Sequence, residues 1–398
     1  MKELIDQIKT LSGTYFNEIV KIRRHIHAHP ELSFDEHKTA ALVAEFLTKS
    51  NIEHETGVAK TGVVALIKGK KGGKKTIALR ADMDALPIME LNDLPYKSKH
   101  PGVMHACGHD VHTSSLLGAA KILSAMSKDL NGNVKLIFQP SEEKYPGGAK
   151  VMIEKGVLKN PEPAAIFGQH VFPELEVGKV GFKTGKYMAS TDEIYLTVKG
   201  KGGHGAIPHK NIDPVLIASH IVTGLQQIVS RNANPAMPTV LSFGRFMAEG
   251  QTNIIPDEVK LAGIMRTFDE AWRAEMKDRI KTMAKGIAKS MGAQCDVKID
   301  TGYPFVVNDE NLTLRAIDFA RQYMGEENVV NLELRTTAED FAYFSQVIPG
   351  CFYRLGTRNE KKGITSNLHT ATFNVDEESI KTGMGLMAWL AISELNSR

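Results

Sequence analysis

The chain has 398 residues with 42% hydrophobic and 24% charged residues, which is enough apolar material for a real core and, at ~150 residues per domain, for two or three domains. A formal net charge of +3, with Lys and Arg spread along the chain and no basic block interleaved with aromatics, argues against a dedicated nucleic-acid binder. Three cysteines, Cys107, Cys295 and Cys351, are too few and too odd in number for a disulfide framework, and no apolar run reads as a signal peptide or membrane span, so a cytoplasmic protein is expected.

Leu4, Ile5, Ile8 and Leu11 recur at helical spacing, Phe16, Ile19, Ile22 and Ile26 extend the pattern, and Pro30 stops it. A second helix is expected over "DEHKTAALVAEFLTKS" with Asp35 as N-cap. "GVVALIKG" and "TIALRADM" flank the turn "KKGGKK" and read as a hairpin. "SSLLGAAKILSAMSKDL" reads as a helix capped near Thr113 or Ser114, and "NVKLIFQP" and "AAIFGQHV" as strands separated by a helical stretch near "GGAKVMIEKGVL". This alternation predicts an α/β domain around a mainly parallel sheet. From Asp192 the order becomes strand, helix, strand, strand, helix, strand, ending at "QCDVKID", which is the ferredoxin-like pattern. The predicted organisation is one α/β domain over residues 1–183 and 300–398, with an α+β domain inserted at 184–299.

Polar residues of chemical interest follow three predicted strands: Asp82 and Asp84 after "TIALRA", Glu142 and Glu143 after "VKLIFQP", and Gln169 and His170 after "AAIFG". Ligands of open α/β sheets gather at the carboxyl ends of strands. "VMHACGHDVH" adds His105, Cys107, His109, Asp110 and His112 in one loop, and His369 in "SNLHTATF" could join from the C-terminal segment. Thiolate, imidazole and carboxylate together suit a divalent transition ion and are too soft for a dedicated calcium or magnesium site. The candidate ligands exceed what one tetrahedral ion needs, so two adjacent ions fit. In an extended "EE" pair the side chains point to opposite sides, so one carboxylate can face a metal while the other takes a proton from water. Read singly, each fragment also has an ordinary reading: a buried Cys as packing, "DMD" as a turn, "EE" as an exposed acidic pair.

"RRHIHAHPELSF", "ALRADMDALP", "MHACGHDVH", "QPSEE", "GQHV", "GKGGHGAIPH" and "LHTATF" together resemble the metal-dependent aminoacylase and carboxypeptidase family, in the branch of hippurate hydrolases, N-acetyl-amino-acid deacetylases and auxin-conjugate hydrolases. The resemblance runs through essentially the whole chain. It implies a dimetal-peptidase catalytic domain with an inserted ferredoxin-like lid and dimerisation domain. It also implies two divalent transition ions (zinc, manganese, cobalt or nickel) held by Cys107, His109, Glu143, His170 and His369. Glu142 matches the general base, and Asp84 the acidic residue that supports a metal-bound neighbour. Asp82 stands where distant relatives have a metal-binding His, and Cys107 compensates. His204 matches a His that binds the reacting carbonyl from a neighbouring subunit, and Asn253 and Arg266 match contacts to the substrate carboxylate. "LHTATF" departs from the usual "LHSPXF", although His369 remains. The implied activity is hydrolysis of N-acyl-L-amino acids by a homodimer that binds a small-molecule substrate and neither membrane nor nucleic acid. The alternatives are a dipeptidase or metallocarboxypeptidase on small peptides, and a non-catalytic metal-binding relative. His105, Asp110 and His112 have no assigned part beyond loop hydrogen bonds.

Overall fold

The computed structural model describes residues 2–397, which form two compact units: residues 2–186, 307–334 and 340–397, and residues 187–306 and 335–339. The chain opens with α1 (Lys2–Ala28), α2 (His37–Lys49), β1 (Glu53–Val58), β2 (Gly62–Lys68), β3 (Thr76–Asp82), α3 (His109–Ala125), β4 (Asn133–Gln139), α4 (Gly148–Glu154), β5 (Ala165–Glu176), β6 (Val180–Phe182) and β7 (Gly185–Met188). The second unit holds β8 (Asp192–Lys199), β9 (Gly203–His204), α5 (Pro214–Gln227), β10 (Val240–Met247), β11 (Ile254–Ile255), β12 (Glu258–Arg266), α6 (Glu270–Ser290) and β13 (Gln294–Thr301). The chain ends with β14 (Val306–Asn308), α7 (Glu310–Met324), β15 (Val329–Asn331), α8 (Ala342–Ser345), β16 (Gly350–Arg358) and α9 (Glu378–Asn396).

The first unit is built on an eight-stranded mixed sheet in the order β1-β2-β4-β3-β5-β16-β6-β15. Its centre is parallel: β3 pairs in parallel with both β4 and β5, and β5 with β16. All seven residues of β3 are buried, so both of its faces are covered, as in parallel sheets generally. Ile77, Leu79 and Ala81 share a core with Ile8 and Ile19 of α1, Leu116 of α3, Ala316 of α7 and Leu390 of α9. By the period of two, Arg80 and Asp82 face the other way.

The expected hairpin between "GVVALIKG" and "TIALRADM" does not form, because β4 inserts between β2 and β3. A strand buried on both faces needs neighbours along both edges, and the "KKGGKK" turn cannot supply the second one. The hairpin partner of β2 is instead the polar β1, joined by a tight turn at Ala59 and Lys60, both at positive φ. Helix α2 is capped by Glu36 at its backbone and not by Asp35. Its free amides are met from a distance, where the Glu31 carboxylate accepts from Lys38 N and Thr39 N, each at 2.9 Å.

The second unit is a four-stranded antiparallel sheet in the order β10-β12-β8-β13. One face carries Ile194, Leu196, Val198, Leu261 and Met265 against Ile217, Ile221 and Leu225 of α5 and Met276 and Ile280 of α6. This is the ferredoxin-like arrangement. The segment 335–339 joins this unit, where the Arg335 amide bonds to Tyr187 O. Asp213 caps α5 by accepting from Val215 N at 2.8 Å and Leu216 N at 3.2 Å. Replacing Asp213 with Ala should destabilise this unit by about 1 kcal/mol. Denaturant unfolding followed by Trp272, whose ring borders the same core, would detect the shift in midpoint.

Candidate metal centre

The site lies where β3, β4 and β5 run out in parallel. The ladder between β3 and β5 ends at Arg80↔Gly168, so His170, two residues on, leaves β3 while β5 continues along β16. Asp82 ends β3, and Glu142 and Glu143 follow β4 by three and four residues. Helix α3 starts at His109, a full turn earlier than expected at Thr113 or Ser114. The stop is Gly108, at φ 82° in the left-handed region, where a Cβ would sit 2.4 Å from Val171 Cγ2. The early start puts His109 and His112 on adjoining faces of the first turn, with ring centroids 5.4 Å apart.

Five of the expected ligands converge. Cys107 Sγ lies 3.4 Å from His170 Nε2 and 3.3 Å from His369 Nε2. His369 Nε2 is also 3.3 Å from Glu143 Oε1, and His109 Nε2 is 4.0 Å from it. Two donor triads result, each with its ligand atoms within 4.8 Å of one another: Cys107, His109 and His170, and Cys107, Glu143 and His369. They share Cys107. Glu142 groups with His109 and Glu143 but with neither Cys107 nor His369. All of these are buried or half-buried except His369, which is exposed.

Hydrogen bonds fix which nitrogen of each ring is available. His170 Nδ1 donates to Val171 O at 2.7 Å, which leaves the Nε2 lone pair facing Cys107. His109 Nδ1 donates to Asp84 Oδ1 at 3.1 Å, and His109 Nε2 is a buried atom with no hydrogen-bond partner. His112 is occupied at both nitrogens: Val171 N donates to its Nε2 at 2.8 Å and its Nδ1 donates to Asp82 Oδ1 at 2.6 Å. It is therefore a brace between β3 and β5 and offers no lone pair. Asp110 is likewise structural, since its Oδ2 forms a buried ion pair with Arg23 at 2.7 Å and a hydrogen bond with His27 Nδ1 at 2.8 Å.

The electrostatics ask for cations. Burial alone favours neutral His109, yet Asp82, Asp84 and Glu143 outweigh it and raise the imidazole to about 10. Burial, then Glu143, Glu142 and Asp82, push the Cys107 thiol well up. The three carboxylates that act on His109 make its surroundings negative, an environment that suits divalent cations. Together with the unpartnered His109 Nε2 and the mixed thiolate, imidazole and carboxylate donors, this fits two divalent ions.

Sequence reasoning missed several supports. Ser33 Oγ donates to Asp84 Oδ2 at 2.6 Å. Glu36 accepts from Ser141 N at 2.8 Å and from Thr61 Oγ1 at 2.6 Å. Arg80 joins Asp82, Gln139 and Asp340 through bonds of 2.6, 2.8 and 2.8 Å. Arg80 in "LRAD" had a readable clue, a charged residue inside an apolar strand. Asp340 had none, being more than 250 residues from Arg80. The expected contributors His204, Asn253 and Arg266 all belong to the second unit. His204 and Asn253 are exposed neighbours in the β9–β11 ribbon, where Gly205 N donates to Asn253 O at 2.9 Å. Arg266 is half-buried at the end of β12, paired in register with Val240.

A metal-dependent hydrolase acting on amide bonds is the class that this fold and site define, and the comparisons with known proteins agree. The sequence model of Peptidase family M20/M25/M40 matches residues 78–393, and the chain belongs to that family. It is 40% identical to the N-acetylcysteine deacetylase of Bacillus subtilis, covering 96% of this chain and 98% of the relative. It is 41% identical to thermostable carboxypeptidase 2 of Saccharolobus solfataricus, covering 99% and 100%. A crystal structure of a dinuclear metal binding peptidase of the M20 family from Bacillus subtilis superposes with a TM-score of 0.84 at 37% identity, covering 97% of this chain and 100% of that one.

Replacing Gly108 with Ala should both destabilise the first unit and lower its metal content. The left-handed backbone alone costs about 1–2 kcal/mol, and the new methyl must displace Val171, whose amide braces His112. Thermal melting and elemental analysis of the purified variant test this, and an unchanged melt with full metal content would contradict it.

Proposed function

We propose that the protein is a cytoplasmic, homodimeric amidohydrolase that cleaves N-acyl-L-amino acids into a carboxylic acid and the free amino acid. The observation that carries this reading is the pair of donor triads sharing Cys107, with the Glu142 carboxylate beside them and outside both. A binding-only site has no use for that extra base. The deacetylase relative supports the acyl-amino-acid class. The three free, buried cysteines suit a reducing compartment, and among the described residues no helix is long and apolar enough to cross a membrane.

In this reading Cys107, His109 and His170 would hold one ion, and Cys107, Glu143 and His369 the other. The donor set suits zinc, manganese, cobalt or nickel. Bound there, the ions supply Lewis acidity and make water acidic enough to ionise near neutral pH.

Glu142 takes the proton of the attacking water as its oxygen bonds to the acyl carbon. When the carbon–nitrogen bond breaks, Glu142 returns that proton to the leaving amine. Asp84 holds His109 and both glutamates in place. His204 is assigned to the carbonyl oxygen as it gains negative charge. Its Nδ1 accepts the Ala206 amide at 3.0 Å, so in the neutral ring the proton sits on Nε2 and makes that atom a donor. Asn253 and Arg266 are assigned to the free carboxylate of the substrate, which a guanidinium can take through two parallel hydrogen bonds.

Two measurements test the assignments. Glu142→Gln should retain metal yet lose about 100- to 10,000-fold in turnover of N-acyl amino acids, whereas Glu143→Gln should lose metal itself. Elemental analysis beside kinetics separates the two, and the reverse pattern means that their roles are exchanged. For the dimer, His204→Ala alone should cost about 100- to 1,000-fold in turnover. Mixing it with Glu142→Gln under demonstrated subunit exchange should restore activity if His204 serves the partner's centre. No recovery would reject action between subunits.

A further inference from the structure

The segment after Ala85 turns at Pro87, where Ile88 N donates to Leu86 O at 2.8 Å, and its residues alternate in exposure. Leu86, Ile88 and Glu90 turn inward, while Pro87, Met89 and Leu91 are exposed. Leu86 and Ile88 pack on the main core, and buried Glu90 bonds to His27 Nε2 at 3.2 Å and to Ser98 N at 2.7 Å. The outward row is apolar throughout, with Met89 54% and Leu91 66% exposed. An inward carboxylate between two outward large apolar side chains inverts the usual order of a surface segment.

Both ends of this row are tied to the metal centre. It begins three residues after Asp84. At its other end Leu91 N donates to Ala371 O at 2.8 Å, and Asn92 Nδ2 to Phe373 O at 2.9 Å, on the loop that carries His369. Leu32, 38% exposed, joins the same rim: it bridges Ala85, and Ser33 beside it bonds to Asp84. Tyr145, 40% exposed, follows Glu143 by two residues. Among the described residues of the first unit, seven large apolar side chains are exposed: these four, with Leu314, Leu334 and Val347. More than half of them therefore cluster around the ligand loops.

The size of the row indicates its occupant. Its two large side chains, Met89 and Leu91, are two residues apart, about 7 Å at about 3.3 Å per residue. A few side chains fall well short of the ~800 Å² per partner of a stable protein interface, but they suit one flexible chain of a small substrate. The segment is fastened at Glu90, Leu91 and Asn92, so the surface is preformed and binding needs little ordering.

We propose that Met89 and Leu91, with Leu32, form the subsite for the acyl group, and that the preferred substrates carry an apolar acyl chain longer than acetyl. This deepens the hydrolase reading above and rests on it. The subsite works by removing methylenes from water while the amide lies at the metal centre. Each added methylene that finds cover therefore strengthens the transition-state complex by the same factor.

The test is a series of N-acyl-L-alanines (acetyl, butyryl, hexanoyl, octanoyl) assayed with the metal-loaded full chain. For the unaltered protein kcat/KM should rise about two- to fourfold per methylene. The double variant Met89→Ser/Leu91→Ser alters only exposed positions, so it should fold normally, as thermal melting can verify, and flatten the series. Leu314→Ser, equally exposed on α7, should leave the slope intact. A flat series in the unaltered protein, or an unchanged slope in the double variant, overturns the subsite while leaving the hydrolase reading standing. Metal-loaded protein that turns over no member of the series overturns the hydrolase reading, and the subsite falls with it.

Discussion

One carboxylate organises the centre. Asp84 Oδ1 accepts from His109 Nδ1 and from the Glu142 amide at 3.1 and 3.0 Å, while Oδ2 accepts from the Glu143 amide and Ser33 Oγ at 3.0 and 2.6 Å. It thereby ties the first turn of α3, the loop after β4 and the loop after α1 to the end of β3. Burial pushes the carboxyl toward its neutral form, but the bonds from His109, Ser33 and Glu143 outweigh that and keep its pKa below the ordinary value. Hydrogen bonds to a charged group contribute about 1.5–3 kcal/mol each. A network of four leaves the two glutamates little freedom to exchange places, which is why adjacent residues of one type can have different chemistry.

Around this clamp the chain gathers several carboxylates. Asp82, Asp84, Glu142, Glu143 and Asp340 lie together, and Arg80 is shared between Asp82 and Asp340. Burying carboxylates is costly, and a concentration of them beside imidazole and thiol donors is an environment that divalent ions suit. The surrounding imidazoles are sorted by their backbone partners. His170 is held with a free Nε2 by Val171 O, while Val171 N occupies the Nε2 of His112. A single residue of β5 thus makes one histidine available and withdraws the other.

The sequence made the chemistry more legible than the paths that assemble it. Glu142, Glu143 and His170 could be found because each follows a recognisable strand, Cys107 and His109 because metal-capable side chains crowd one loop, and the ferredoxin-like order was plain because its helices and strands keep clean periods. His112 had no assigned part beyond a loop hydrogen bond, and its two specific partners, Asp82 and Val171, could not be read from the sequence. The hairpin between β2 and β3 failed because strand order in a parallel sheet is set by long-range burial, and β1, whose "EHETGV" is polar and largely exposed, carries no apolar signal. The start of α3 was missed for a related reason. "CGHD" reads as loop because of its glycine, whereas that glycine is the residue that permits the turn into the helix.

The same device recurs in three loops that bring candidate donors together. Gly108 stands at φ 82° before His109, Ser141 at 50° before Glu142, and His369 itself at 60°. Two of these are not glycine, and a left-handed backbone costs such residues about 1–2 kcal/mol each. Each is held there by a specific bond: Ser141 N to Glu36 Oε1 at 2.8 Å, and His369 N to Ala106 O at 2.8 Å. The second bond connects the His369 loop to the residue beside Cys107, so the two side chains that meet at 3.3 Å are coupled through their backbones as well. Sharp left-handed turns let the chain reverse within one residue and present adjacent ligands inward without long flexible loops. The strain is therefore tied to the geometry the donors need before any ion arrives, and it persists because the buried bonds around it determine the conformation more strongly than local preference does.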